Sequence, residues 1–419
     1  MHEFLLLLPF ILTLLFSLAS VPLLVWMERR IAGLIQNRPG PNRCNIAGIR
    51  LGGIIQSIAD VMKLLFKQEL LPHHIANRFY YLAAPSVAFV ASFLTFMVIP
   101  YADDFAFGGY DYVMQALPVD LGALWFLAFA GLSVYGIIIG GWASHNKYAI
   151  IGSMRASAQV IGYEVAMGLP LVSILITYGT IHLNGIVAWQ SQTLFGFLPA
   201  WGILVQPLAA VIFIVTAFAE TNRAPFDAAE GESEIVAGYH TEYGAMKFGL
   251  YFVAEYVAMA ASGALIVTLF FGGYQLPWLG TGALVAHFDI IIWVLMAAAP
   301  LFSYRFVRWI RRNNMYRPER VRESRIYIAV IAAGTLLFEA FLLYGALSGM
   351  EGSGVRSGVM LLQFAVFAVK LFMFHFFYIW VRWTVPRFRY DQTQKLGWNI
   401  LLPLAIANIV VTAIIVAGV

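Results

Sequence analysis

Cysteine is almost absent from this sequence and charge is scarce. Cys44 is the only cysteine in 419 residues, which excludes an internal disulfide and any iron–sulfur cluster held by this chain alone. Charged residues make up 11%, against roughly a quarter in a soluble domain, so a soluble globular protein is excluded as well. No internal repeat and no linker-like stretch divides the chain. Among eight histidines only His73 and His74 are adjacent. Neighbours in sequence do not share a helix face, so no metal site is expected there.

In place of charge there are long apolar runs. Hydrophobic residues make up 61% of the chain, and runs such as Phe4 to Trp26 and Leu121 to Ser144 are long enough to cross a hydrocarbon core of roughly 30 Å. Further spans are predicted at Phe79 to Tyr101, Gly162 to Ile181, Trp201 to Ala219, Phe248 to Gly273, Val285 to Tyr304, Ile326 to Leu347, Val359 to Val381 and Trp398 to Val419, ten in all. The first run is too long for a signal-peptide core and lacks a cationic segment before it, so it is read as a mature span. The fold class is therefore all-α, a polytopic membrane protein.

Lysine and arginine give an independent test, because loops on the inner side of a membrane carry them in excess. Residues 27 to 78 hold eight, 145 to 160 two, 220 to 247 two, 305 to 325 eight and 382 to 397 four, which is 24 of 26. The opposite loops hold only Arg356, and Lys370 falls inside a span. An even number of spans then puts both termini outside. The net charge of +4 reflects this orientation and gives no reason to expect nucleic acid.

The first inside loop changes character midway. Pro39, Gly40 and Pro41 break any helix and force a turn. From Ile54 a helical period returns, with Ile54, Ile55, Ile58, Val61, Met62, Leu65 and Phe66 on one stripe and Gln56, Asp60, Lys63 and Lys67 off it, which predicts an amphipathic helix at the membrane interface. The second inside loop, residues 220 to 242, carries Glu220, Asp227, Glu230, Glu232, Glu234 and Glu242 against a single cation, Arg223. Crowded carboxylates repel, so some should hold a proton near neutral pH and be able to pass it on. A solvated acidic loop is the bland alternative. The apolar Ala224, Pro225, Phe226, Ile235 and Val236 argue against it, as do Glu164 and Glu255 within neighbouring spans, where an ionisable group is costly.

The wording ERRIAGLIQNRPGPNR, followed by GGIIQSIADVMKLLFKQE, resembles the first signature of the quinone-chamber membrane subunits of respiratory complex I, the family called NADH dehydrogenase subunit 1 in mitochondria. AETNRAPFDAAEGESEIVAGYHTEY resembles its second signature. KYAIIGSMRASAQVIGYEVAM, AEY at Ala254 to Tyr256, and VRWTVPRFRYDQTQKLGWNILLPLAIAN agree. The resemblance covers all but about Gln275 to Ser357, which is read as an inserted two-helix segment with an arginine-rich inside loop, beyond the eight spans of the family and outside the quinone and proton path.

The resemblance implies a membrane subunit of a proton-translocating NADH:quinone oxidoreductase, forming the quinone chamber and starting an acidic coupling path. Quinone would be the substrate, and flavin and iron–sulfur clusters would sit on partner subunits. The partners implied are the quinone-site subunits of the hydrophilic arm, the neighbouring membrane-arm subunits and membrane lipids. By motif position, Glu28, Arg29, Gln36, Arg38, Asp60, Lys63 and Lys67 fall to the chamber entrance, and Arg223 and Asp227 deeper. Glu164, Glu220, Glu230, Glu232, Glu234, Glu242 and Glu255 fall to proton transfer or coupling, with Lys147 and Arg155 as counter-charges and Lys370 matching a lysine in a late span of the family. A bacterial inner membrane is preferred to a mitochondrial one. The equivalent component of a related membrane-bound hydrogenase or dehydrogenase is the nearest alternative, distinguishable by neighbouring genes. A stand-alone ion transporter is the other, distinguishable by gradient transport in the isolated chain.

Overall fold

A computed structural model describes residues 2–107, 110–228, 235–314, 318–347 and 352–418. Among them, nine helices are long and apolar enough to cross a membrane.

Helix α1 (His2–Ile35) crosses first. The turn after it leads to Leu51–Gly53 and then to α2 (Ile54–Phe66), the helix anticipated at the interface. Ile55 is buried, while Ile58, Val61, Met62, Leu65 and Phe66 stay exposed, leaving an apolar strip with no protein cover. Helices α3 (Arg78–Phe96) and α5 (Lys147–Tyr178) both start on asparagine caps. Asn77 accepts from the Phe79 amide at 3.1 Å and Asn146 from that of Tyr148 at 2.9 Å, satisfying donors that a helix start leaves open.

Small residues let the bundle close. Helix α4 (Gly122–Ala143) lies between α3 and α5. A Cβ at Gly136 would stand 2.7 Å from the Ala88 Cβ, so the α3–α4 crossing requires glycine there. Helix α5 begins well before the predicted Gly162, because its polar first half is also packed. Gln159, fully buried, donates to the carbonyls of Ala219 and Phe226, each at 2.8 Å.

The span expected at Trp201 to Ala219 is broken. After α6 (Leu183–Trp189) come α7 (Gly202–Val205) and α8 (Pro207–Glu220), separated by Gln206 at φ −131°, ψ 63°. Pro207 offers no amide to continue the first helix but suits the first position of the second. Gln206 compensates by donating to the Thr177 and Thr412 hydroxyls at 2.9 and 3.1 Å.

Helix α9 (Ala245–Phe270) is the centre of the bundle: 78% of its membrane window is buried. Lys370 closes its far end, donating to the carbonyls of Phe271, Gly273 and Gln275 at 2.8, 2.9 and 2.6 Å, where the helix dipole favours a cation. After the short α10 (Thr281–Ala286), helices α11 (Phe288–Asn314) and α12 (Pro318–Leu347) lie at the edge, with only 6% of each window buried. Helix α13 (Ser353–Thr384) returns to the bundle. The last span runs from α14 (Tyr390–Lys395) through a π-helical Leu396–Leu401 into α15 (Leu402–Gly418).

Candidate functional site

Where α1, α9 and α13 meet the loop after Glu220, charged side chains gather inside the protein. Glu28, near the end of α1, accepts from the Tyr256 hydroxyl at 2.6 Å and pairs with Arg382 of α13 at 2.5 Å. The Arg223 guanidinium is 5% exposed. It pairs with Glu255 of α9 at 3.0 Å and lies 4.3 Å from the centre of the Tyr256 ring, where the π face attracts a cation. The other oxygen of Glu255 accepts from the Tyr239 hydroxyl at 2.8 Å. Tyr239, Glu255, Arg223, Tyr256, Glu28 and Arg382 thus form one unbroken series. Buried charges persist only when paired, and here each has a partner.

Asp227 lies beside this series, buried and paired with Arg387 at 2.6 Å. Gln159 also bonds Asn222 at 3.2 Å, so α5 holds the loop from 219 to 226 at three points. Asn222 takes φ +49°, a conformation asparagine tolerates better than most residues. His240 packs edge-on against Tyr239 and Phe248. Burial holds its imidazole below the usual value, outweighing the opposite pull of the Glu255 carboxylate, while Arg223 adds to the lowering.

A second group of acids flanks α4. Glu164 of α5 points at Gly131, where an added Cβ would lie 2.6 Å from its Oε1. Glu220, the last residue of α8, borders a cavity of about 20 Å³ with Ser92, Thr95, Ser133, Thr221 and Ser262 among its walls. That is room for one water. Glu220 Oε2 is buried without a hydrogen-bond partner among the described residues. A third group surrounds Glu242, which accepts from Asn146 at 2.6 Å and stands 3.8 Å from His74. Beneath it Tyr81 and Tyr243 stack at 4.3 Å, and burial pushes the Tyr243 phenol up to about 12.

The remaining predicted residues spread along the rim. Arg29 pairs with Asp60 of α2, which also accepts from Gln56 at 3.1 Å. Gln36 and Arg38 bond each other at 2.6 Å in an exposed turn, and Lys63 and Lys67 are exposed on α2 and just past its end. Lys147 is exposed with its ammonium over the Tyr148 ring, and Arg155 lies over Tyr390. Lys370 lies at the far end of α9, away from Arg223 and Glu255. Glu230, Glu232 and Glu234 lie outside the described residues. Sequence reasoning assigned no role to Arg382, Arg387, Tyr256, Tyr239 or Gln159. All five lie in the quoted signature stretches, but Arg382 and Arg387 otherwise read only as loop cations, and a tyrosine or glutamine carries no charge signal.

Comparison with known proteins finds relatives along nearly the whole chain. The NADH dehydrogenase family model matches residues 8–319 and 321–413, crossing the 275–357 stretch. The H subunit of the NADH-quinone oxidoreductase of Flavobacterium psychrophilum is 38% identical over 405 residues, covering 97% of this chain and 94% of its own. NADH-quinone oxidoreductase subunit 8 of Rhodothermus marinus is 38% identical over 400 residues, covering 96% and 94%. The H subunit of the Bdellovibrio bacteriovorus enzyme is 36% identical over 417 residues, covering 95% and 92%. Matched along nearly its whole length, this chain belongs to the NADH dehydrogenase family of membrane subunits.

Proposed function

We propose that the chain forms the membrane wall of a quinone chamber in a proton-translocating NADH-quinone oxidoreductase, and that its buried acids begin the coupling path. The observation that carries this reading is the buried series from Tyr239 to Arg382, whose Glu28 lies two residues past the Trp26 that bonds Gly52 at the start of α2. Reducing a quinone to a quinol takes two electrons and two protons. Electrons would come from partner subunits that hold flavin and iron–sulfur clusters, since this chain supplies one cysteine. Its own residues supply the polar surface and the proton route.

In this reading the exposed apolar strip of α2 guides an isoprenoid tail from the bilayer. Arg29, Gln36, Arg38, Asp60, Lys63 and Lys67 form the entrance, and Glu28, Arg223 and Asp227 face deeper. Protons pass by way of Glu255 and Glu242 at the inner end and Glu220 and Glu164 beside α4, where a single water in the small cavity would link carboxylate to hydroxyl. Glu230, Glu232 and Glu234 belong to the same path by motif position. The partners are the hydrophilic-arm subunits that complete the chamber and the next membrane-arm subunits. The setting is a bacterial inner membrane, with both termini outside.

A photoreactive quinone analogue tests this in the purified complex. Label displaced by excess quinone should fall within residues 28–67, 223–227 or 382–389, and Asp60→Asn should lower quinone turnover while NADH oxidation by a water-soluble acceptor is kept. Competitive label confined to the opposite ends of the helices would overturn the reading.

A further inference from the structure

Between α1 and α2 the backbone makes an unusual turn. Leu51, Gly52 and Gly53 take φ of +45°, +64° and +99° in succession. Left-handed residues occur singly as a rule, and one with a Cβ, such as Leu51, persists only where its surroundings hold it. The surroundings are specific. The Trp26 indole of α1 donates to the Gly52 carbonyl at 3.0 Å. Gly53 sits so close to the Pro41 turn that a Cβ would stand 2.6 Å from the Pro41 carbonyl oxygen.

The other two bonds come from the edge of the molecule. The Arg50 amide donates to the Glu323 carboxylate at 2.9 Å, and the Gly52 amide donates to the Tyr327 hydroxyl at 3.0 Å. That hydroxyl in turn donates to Glu323 in a short hydrogen bond. Glu323 and Tyr327 are one helical turn apart on α12, a helix with only 6% of its membrane window buried. Within the arginine-rich stretch Arg322 and Arg325 face outward, while Glu323 and Ser324 are buried. Arg322 and Arg325 thus face away while Glu323 faces the turn.

We infer that Glu323 and Tyr327 are positioning residues: they latch the Leu51–Gly53 turn and so fix the direction in which α2 leaves it. The leverage is large, since α2 is about 20 Å long and a rotation of about 10° at the turn moves its far end by about 3 Å. That end carries Lys63 and Lys67, with the Asp60 that meets Arg29 halfway along. The role in quinone chemistry rests on the reading of α2 as a chamber wall. It also gives the α11–α12 pair a connection to the entrance that its arginine content does not suggest.

The test uses the intact complex with Cys44→Ser and spin labels on cysteines at Met62 of α2 and Met154 of α5, both exposed. Glu323→Gln with Tyr327→Phe should shift or broaden the distance distribution between the labels. KM for a long-tailed quinone should rise about fivefold, the factor that loss of one ordinary hydrogen bond corresponds to, with kcat and NADH oxidation by a water-soluble acceptor little changed. Arg325→Gln, an outward change on the same helix, should leave both readouts alone. An unchanged distance distribution overturns the latch. A changed distribution with unaltered quinone kinetics upholds the latch and overturns instead the reading of α2 as a chamber wall. Should the double variant fail to assemble, Tyr327→Phe alone, which removes one oxygen, carries the same measurements.

Discussion

Replacing Glu255 by Gln asks how the buried series at the inner end is held together. The substitution keeps the side chain's size and an acceptor for the Tyr239 hydroxyl, but takes the Glu255 charge away from the Arg223 cation, 5% exposed. Breaking a buried pair from one side costs about 3–5 kcal/mol, because the other charge stays buried and uncompensated. The Tyr256 ring at 4.3 Å offsets part of this, a desolvated cation–π contact being worth about 2 kcal/mol. A net loss of about 1–3 kcal/mol follows, roughly 5- to 150-fold in the unfolding equilibrium. Removing both charges, Glu255→Met with Arg223→Met, takes the buried cation away together with its acid; the Tyr239 hydroxyl loses this acceptor, at about 1 kcal/mol, and Met keeps an apolar contact on the Tyr256 ring. The double variant should therefore be more stable than the single one. Unfolding of the purified complex in graded denaturing detergent measures both, and a double-mutant cycle gives the coupling. A single variant as stable as the parent, or a double variant at least as damaged as the sum of its parts, would refute the argument.

Two glycines should respond in opposite ways. Gly131→Ala meets the movable end of Glu164, so the complex should assemble while quinone-linked proton uptake falls. Gly136→Ala meets the Ala88 Cβ and the Ala84 carbonyl, so it should cost about 1–3 kcal/mol of stability, read as reduced assembly. His240 has its folded pKa lowered, so its contribution is complete above the ordinary value of about 6.5 and is lost as pH falls below it. Melting temperature should drop between pH 7.5 and 5.5, and His240→Gln should flatten that dependence; equal slopes would count against it. For orientation, cysteines at Asp104, Gln192 and Gly352 in a Cys44→Ser background should react with an impermeant thiol reagent outside intact cells, and those at Arg311 and Asp391 should not. Reaction at Arg311 from outside would sink the arrangement.

Much of the architecture was legible because the bilayer imposes one strong constraint. A span must be apolar for about 20 residues and its inner flank cationic, so runs such as Leu121 to Ser144 read directly as helices, and the period from Ile54 marked α2. Motif position led to Glu28 and Arg223, and Glu255 stood out besides as an ionisable group within a span, where such groups are expensive. The break at Gln206 was not read from the sequence: Pro207 is compatible with an interruption, but the run around it is apolar and the hydrogen bonds that sustain the break come from Thr177 and Thr412 on other helices. Nor did it pair Glu28 with Arg382, 354 positions away, or show that Tyr256 joins the Glu28 and Arg223 groups. Glu323 is the sharpest case. Within eight arginines it reads as one more charge on an inside loop, and only packing against residues 50–52 turns it into a buried acceptor. Hydropathy and charge sign are properties of each residue and survive in the linear order. Partner choice depends on which surfaces meet after the helices pack, and that is decided only in three dimensions.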